Sequence, residues 1–246
     1  MNETFAEIKR IEEVASFFSE TSELKYLNSF ASDEPVKVSE ELFNLIEIGL
    51  KMSWASEGTF DITATSLGRK DGYKEIVLNR KKKEISFKDK DCKIDLGAFA
   101  KGYAIDRAIE VIESHDIKNA LVDAGGDMRM IGLPLPLKEW TIGIRNPEKP
   151  KETFKIIKFK EEVSIATSGN YLRSHIVDLE GRDPTILSVS VIAPTALEAD
   201  LLSTTLYNMK KKERLKLLED FDSVKVLLVR EKNSELILEK ETREEK

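Results

Sequence analysis

The sequence predicts an α+β protein, in which a mainly antiparallel sheet is flanked by helices. Apolar residues in the first 18 positions recur at steps of three and four, the spacing of an amphipathic helix packed on a core. The middle of the chain is instead a series of short apolar runs typical of strands. Short connections between these runs favour antiparallel hairpins over parallel crossovers. We expect a single domain over residues 1–246, with a polar tail that frays from Glu239.

The individual elements follow from periodicity and from turn residues. Helices are predicted within 1–18, 40–54, 100–114, 196–209 and 213–219, the fourth opened by a capping box that begins at Thr195. Strands are predicted at 75–78, 84–87, 92–94, 120–123, 128–131, 140–144, 154–159, 164–166, 186–192, 224–229 and 235–238. Residues 22–24 and 31–35 are expected to be irregular. Residues 58–72 are rich in Gly, Thr and Asp and predict a loop long enough to carry function.

Composition excludes several classes of protein. A formal charge of −6 and a pI near 5.3 argue against a nucleic-acid partner, because such proteins concentrate positive charge to displace counterions from phosphates. The only cysteine, Cys92, has no partner for an internal disulfide and is expected to be buried. No apolar stretch is long enough to cross a bilayer, and the charged start of the chain does not resemble a signal sequence. A cytosolic location is therefore expected.

Residues 95–103 predict a strand end, a turn of small residues and the start of a helix. Such a junction exposes backbone N–H groups, and here it also carries Lys101, so it is suited to a phosphate. The alternative is an ordinary turn beside a surface lysine, and this segment alone does not decide between them. The later Gly125-Gly126 pair joins two predicted strands and is by itself a hairpin turn.

The helix after Thr195 carries a candidate metal site. Asp200, Ser203 and Thr204 stand at positions i, i+3 and i+4 and so share one face of the helix. Hard cations such as Mg²⁺ prefer oxygen ligands and take only a few of them from protein. The competing interpretation is an exposed polar stripe opposite the apolar residues of the same helix.

His175 lies in a strand-like run that ends at Asp178. Imidazole titrates near neutral pH, which makes His175 a candidate general base. A structural role for this histidine remains open.

These segments, in this order, resemble the FAD:protein FMN transferases, the ApbE family. The resemblance extends from about Ser19 to Met209. It is carried by residues 22–24 and 27–28, 58–63, 95–106, 119–132, 140–147, 166–169, 175–178 and 199–204.

The resemblance implies roles for particular residues. It places the flavin nucleotide against Thr59, Phe60 and Asp61. It also assigns Asp95, Lys101 and Ile176 to FAD, with Phe18 where an aromatic ring would meet the isoalloxazine. Mg²⁺ would be held by the carbonyl of Ala98 and by Asp200, Ser203 and Thr204. The candidate bases are His175 and Asp178.

The implied activity is Mg²⁺-dependent transfer of FMN from FAD to a threonine or serine hydroxyl of a partner flavoprotein, with AMP leaving. The acceptor is expected to carry a motif similar to Asp-x-x-Ser/Thr-Gly-Ala-Thr. Hydrolysis of FAD to FMN and AMP, and flavin binding without catalysis, are the alternatives. The chain departs from the family pattern because it lacks the opening Met-Gly-Thr strand and has Leu179, not proline, after Asp178.

Overall fold

The structure is a computed structural model that describes residues 1–68, 71–169, 182–233 and 235–241. These residues form two compact units. One unit comprises Ile8–Ala100, and the other comprises Met1–Glu7 together with the described residues from Lys101 onward. The single domain expected over residues 1–246 stays a prediction.

The unit formed by Ile8–Ala100 combines helices with a small antiparallel sheet. Its strands pair in the order β1-β3-β2. Helix α1 begins within Met1–Glu7, which are assigned to the other unit, and continues into this one. The helices and strands are α1 (Asn2–Ala15), α2 (Glu23–Phe30), β1 (Val36–Lys37), α3 (Glu40–Ala55), α4 (Ala64–Leu67), β2 (Ile76–Asn79) and β3 (Glu84–Phe87).

Two expectations for this unit are wrong. Residues 22–24 are not irregular, because Ser22 caps α2 by accepting a hydrogen bond from the backbone N–H of Lys25 at 3.0 Å. Residues 92–94 do not form a strand. The buried side chain of Asn28 instead holds both backbone groups of Ile94, each at 2.8 Å, and so replaces a neighbouring strand. Cys92 is buried, as predicted.

The other unit is built on a six-stranded antiparallel sheet. The strand order is β11-β10-β9-β8-β5-β4, and β6 and β7 form a separate two-stranded ribbon. The elements are α5 (Ala100–Ser114), β4 (Ala120–Ala124), β5 (Asp127–Ile131), β6 (Trp140–Arg145), β7 (Thr153–Phe159), β8 (Val163–Gly169), β9 (Ile186–Ala193), α6 (Ala196–Tyr207), α7 (Lys211–Leu218), β10 (Lys225–Lys232) and β11 (Glu235–Glu241). The predicted mixture of helices and antiparallel sheet is confirmed.

The ribbon and the sheet share one apolar core. Ile142 and Ile144 of β6 and Phe159 of β7 are buried in the same cluster as Ile165 and Ile192 of the sheet. Helix α6 packs on β8 and β9. The pairing of β5 with β8 and the packing of α6 on these strands therefore fix the three elements that carry the candidate site.

The end of β11 is held more firmly than the sequence predicts. Both carboxylate oxygens of Glu241 accept hydrogen bonds from the guanidinium of Arg214, at 2.6 and 3.0 Å, and both side chains are buried. The fraying predicted from Glu239 is therefore wrong for residues 239–241, since a paired buried charge anchors them.

A second ion pair links the segment just before β9 to β10. Arg230 donates to Asp183 at 2.5 Å, and Thr185 donates its hydroxyl to the same carboxylate at 2.6 Å. Burial acts to raise the pKa of Asp183, but these hydrogen bonds outweigh it and lower the pKa to about 2.

In the described part of the chain, no helix combines the length and the apolar character needed to cross a membrane.

Candidate functional site

The loop of the Ile8–Ala100 unit that carries the predicted flavin contacts is organised by Asp61. Its Oδ1 accepts hydrogen bonds from the backbone N–H and the hydroxyl of Thr63, at 2.8 and 2.7 Å, and Oδ2 accepts from the N–H of Tyr73 at 3.1 Å. Burial raises the pKa of Asp61, although the hydrogen bonds from Thr63 and Tyr73 act in the opposite direction. Asp61 therefore ties together the two ends of the loop.

The turn at Asp95 is joined to this loop. Its backbone N–H donates to the carbonyl of Ile62 at 2.7 Å, and its carboxylate accepts from the hydroxyl of Thr65 at 3.0 Å. The other carboxylate oxygen accepts from the N–H of Gly97 at 2.8 Å, which shapes the turn before Ala98. Loop and turn thus form one hydrogen-bonded framework within this unit.

The aromatic residues predicted to meet the flavin differ in exposure. Phe60 is buried and lies 6.3 Å from the ring of Phe99, so its side chain belongs to the core, and the neighbouring Thr59 is half-buried. Phe18 is 80% exposed and has an edge contact with Phe17. Of Phe60 and Phe18, Phe18 is the exposed ring.

In the other unit, Lys101 of α5 lies between two buried carboxylates. Its ammonium contacts Asp127 at the start of β5 and lies 3.7 Å from Asp200 of α6. Asp127 also accepts a hydrogen bond from the backbone N–H of Thr167 at 3.1 Å. The structure thus brings Lys101 and Asp200 together, as a shared site requires, and adds a carboxylate that the sequence did not single out.

A row of hydroxyl groups continues this cluster along α6. The hydroxyl of Ser168 on β8 lies 3.0 Å from that of Ser203 and 3.1 Å from that of Thr204. Asp200, Ser203 and Thr204 are 1%, 0% and 9% exposed. The alternative of an exposed polar stripe is therefore wrong, because all three face into the unit.

The chemistry of this donor set suits a hard cation. Its potential ligands are a carboxylate and three hydroxyls, all of them oxygen. Among the described residues, no three His, Cys, Asp or Glu side chains cluster as a metal site. A single carboxylate with hydroxyls fits Mg²⁺, which keeps waters or substrate phosphates for its remaining positions.

Helix α6 is positioned by unusually close contact with α5. The N–H of Gly102 donates to Asp200 at 2.9 Å, and a Cβ at Gly102 would lie 2.3 Å from the carbonyl oxygen of Ala196. Only glycine therefore permits this approach. The contact places the start of α5 directly against the Asp200 turn of α6.

Asp106, one turn further along α5, anchors the start of α6. Its carboxylate accepts hydrogen bonds from the N–H groups of Ala196 and Leu197, both at 2.9 Å, and from Arg129 at 2.6 Å. These are N–H groups of the first turn, which have no partner within the helix. Burial, and then the charge of Asp106, raise the pKa of the nearby Glu198. Asp106 therefore acts as a cap supplied by another helix.

Sequence reasoning did not assign roles to Asp127, Ser168 or Asp106. Each lies in a segment that carried the family resemblance. Asp127, however, directly follows Gly125-Gly126, and this local pattern indicates only a hairpin turn. The available signal was that Asp127 stands directly before residues 128–131, where the sequence predicts a strand. The predicted residues His175, Ile176 and Asp178 lie outside the described residues.

Comparison with known proteins identifies relatives of this chain. The ApbE family profile matches residues 1–228. The FAD:protein FMN transferase of Treponema pallidum (strain Nichols) is 25% identical over 93% of this chain and 76% of its own length. That of Klebsiella pneumoniae (strain 342) is 26% identical over 95% of this chain and 83% of its own.

Solved structures of ApbE proteins are also similar to this chain. The crystal structure of the ApbE protein of Thermotoga maritima matches with a TM-score of 0.82 and 30% identity, covering 97% of this chain and 87% of that one. The flavin transferase ApbE of Vibrio cholerae matches with a TM-score of 0.80 over 97% of this chain and 88% of that one, and at 22% identity it supports the fold alone. Since the family profile extends over nearly the whole sequence, this chain belongs to the ApbE family, in which the curated relatives named above are FAD:protein FMN transferases.

Proposed function

We propose that this chain transfers the FMN part of FAD to a threonine or serine hydroxyl of a partner flavoprotein, in a reaction that needs Mg²⁺ and releases AMP. The observation that carries the proposal is the ammonium of Lys101 beside two buried carboxylates and a row of hydroxyls. In a member of the ApbE family, a cation and oxygen ligands at one place are what a pyrophosphate substrate requires.

The charges of the cluster support both a metal and a phosphate. Asp127 and Asp200 contribute two negative charges and Lys101 one positive charge, so the three groups together are left with one negative charge. That charge favours an added cation. Asp127 positions Lys101, since it contacts the ammonium directly and is itself held by the N–H of Thr167. A lysine fixed in this way can donate to a phosphate oxygen without reorganising.

The proposed metal ligands are Asp200, Ser203 and Thr204, with the carbonyl of Ala98 added by the family resemblance. A bound Mg²⁺ would supply neutralisation of the negative charge on the pyrophosphate. The close contact at Gly102 contributes by fixing the carboxylate of Asp200 through a backbone N–H.

The transfer itself is a substitution at phosphorus. The acceptor hydroxyl oxygen forms a bond to the phosphorus on the FMN side, and the bond from that phosphorus to the bridging oxygen breaks. AMP leaves with the electron pair, and the hydroxyl proton passes to a base. We propose His175 as that base, with Asp178 as the other candidate.

We propose that the flavin end of FAD meets the framework built by Asp61 and Asp95. The hydrogen bonds of Asp61 order the segment that holds Thr59 and Phe60, and those of Asp95 shape the neighbouring turn. Phe18 would stack on the isoalloxazine, and Ile176 would also contact FAD.

The test is to incubate the protein with FAD, Mg²⁺ and a peptide that contains Asp-x-x-Ser/Thr-Gly-Ala-Thr. A peptide that gains the mass of an FMN group, with one AMP released per label, supports the proposal. Release of AMP without label would indicate hydrolysis. Binding of FAD in calorimetry without either product would indicate a flavin-binding protein, and it would refute the transferase proposal.

Two variants separate the roles of the residues. Asp200→Ala should abolish Mg²⁺-dependent AMP release while the fold persists, whereas Asp220→Ala, an exposed carboxylate after α7, should leave it unchanged. His175→Ala should keep the FAD affinity but slow transfer by about 10²- to 10⁴-fold. Transfer at the wild-type rate in His175→Ala would remove the histidine from the chemistry.

A further inference from the structure

The unit that begins at Lys101 has an open groove beside β7. Its volume is about 870 Å³, and it lies between β7 and the β9, β10 and β11 part of the sheet. Residues 155–161 all line it. Successive side chains of a strand point to opposite faces, so residues from both faces of β7 line the groove, as expected where a groove runs along the side of the strand that β6 does not cover. The groove therefore follows the free edge of β7.

The edge of β7 that faces the groove carries backbone N–H and C=O groups that no described strand pairs with. In the described part of the chain, β7 pairs with β6 and with no other strand. A strand with one partner presents N–H and C=O groups along its other side, which can template an added strand.

The groove combines an apolar floor with a basic rim. Leu227 and Leu238 lie on the floor, and Ile156, at the side, is 59% exposed. The rim carries one carboxylate, Glu161, and five lysines, which are Lys155, Lys158, Lys160, Lys225 and Lys240. This is a local excess of positive charge in a chain whose formal net charge is −6.

Part of this charge is compensated within the molecule. Lys158 pairs with Glu139 at 2.5 Å, and Lys225 approaches Glu161 at 3.5 Å. Lys155, Lys160 and Lys240 form no ion pair with any residue that the structure describes. Three ammonium groups at the rim are thus available to an acidic ligand.

We propose that this groove binds an extended segment of a partner protein in which acidic and apolar residues alternate, added as a strand to β7. The apolar side chains would cover Ile156 and the floor, and the acidic ones would meet the lysine rim. A second copy of β7 is disfavoured, because it would bring two edges that each carry Lys155, Lys158 and Lys160 close together, and their positive charges would repel. A concave groove with an unpaired backbone also favours a peptide over a membrane surface.

The test uses a fluorescein-labelled peptide of about ten alternating Glu and Val residues, long enough to span the seven groove-lining residues of 155–161. We expect saturable binding by fluorescence anisotropy that weakens as salt rises. A peptide of alternating Lys and Val should not bind. In hydrogen exchange, the bound Glu-Val peptide should protect amides within 155–161.

Charge reversal then locates the site. Lys155→Glu with Lys160→Glu should weaken binding by about tenfold or more. The matched control, Lys9→Glu with Lys90→Glu, reverses two exposed lysines of the other unit and should change nothing. Ile156→Ser, which keeps the charges, should also weaken binding.

The proposal is overturned by equal affinity for the Glu-Val and Lys-Val peptides, or by equal affinity of the two double variants. It is also overturned if phosphatidylglycerol vesicles bind through these lysines and the peptide does not. FAD turnover is not measured in this experiment, so its outcome is independent of the transferase proposal.

Discussion

Replacing Asp106 by alanine tests whether a cap supplied by α5 holds the helix that carries the proposed metal ligands. Asp106 is 7% exposed and accepts three hydrogen bonds, two from the first turn of α6 and one from Arg129. Loss of one partner from a buried charge pair typically costs about 3–5 kcal/mol. We therefore expect Asp106→Ala to lower the free energy of unfolding by about 3–5 kcal/mol. The loss of two charge-assisted hydrogen bonds to the start of α6 increases this cost, whereas partial rehydration of Arg129 reduces it.

The assay is urea unfolding, supported by thermal denaturation. For a chain of this length, the expected loss lowers Tm by roughly 6–20 °C. Glu110→Ala is the matched control on the same helix, because its pair with Arg107 is exposed, and it should change stability by about 0.5 kcal/mol or less. The loss of stability in Asp106→Asn should lie between those of Asp106→Ala and Glu110→Ala. This variant should also lower the pKa of Glu198, since the charge of Asp106 helps to raise it. A loss below about 1 kcal/mol in Asp106→Ala would refute the reasoning.

Three further changes have defined outcomes. Gly102→Ala places a methyl group against the backbone of α6 and should cost about 1–3 kcal/mol in urea unfolding; a neutral effect would mean that the helices can separate. Glu241→Gln removes the charge that faces buried Arg214 and should cost about 3–5 kcal/mol, and an unchanged Tm would show that the β11 end contributes little. Asp183 has a pKa lowered to about 2 from 3.8, so its pair with Arg230 stabilises the fold above pH 3.8, and this contribution is lost as pH falls through about 2. Asp183→Asn should remove that part of the acid dependence in unfolding free energies measured between pH 5 and pH 2, and an identical pH profile would contradict the assignment.

Local patterns predicted most of the helices and strands. The periodicity of residues 40–54 and 100–114 matches α3 and α5 within a residue at each end. The capping box at Thr195 correctly marked the start of α6, where the Thr195 hydroxyl accepts from the N–H of Glu198 at 3.2 Å. These signals succeed because caps and periodicity depend on residues a few positions apart.

Two of the errors occurred where a distant residue replaced a local partner, whereas the error at residues 22–24 missed the local cap that Ser22 provides for α2. The sequence predicted a strand at residues 92–94. In the structure, the side chain of Asn28, 66 positions away, hydrogen-bonds the backbone N–H and carbonyl of Ile94 in place of a neighbouring strand. The polar residues from Glu239 onward predicted a frayed tail, but Glu241 forms a buried ion pair with Arg214. No local pattern records such partners.

The sequence by itself determined the family, the antiparallel α+β character and the shared face of Asp200, Ser203 and Thr204. The last of these is a property of one helix, fixed by 3.6 residues per turn. Only the tertiary structure decided that this face is buried and that Asp127 of β5 and Ser168 of β8 complete it. The reason is physical, because Lys101, Asp127 and Asp200 come together only when sheet order and the close contact at Gly102 bring α5, β5 and α6 to one place.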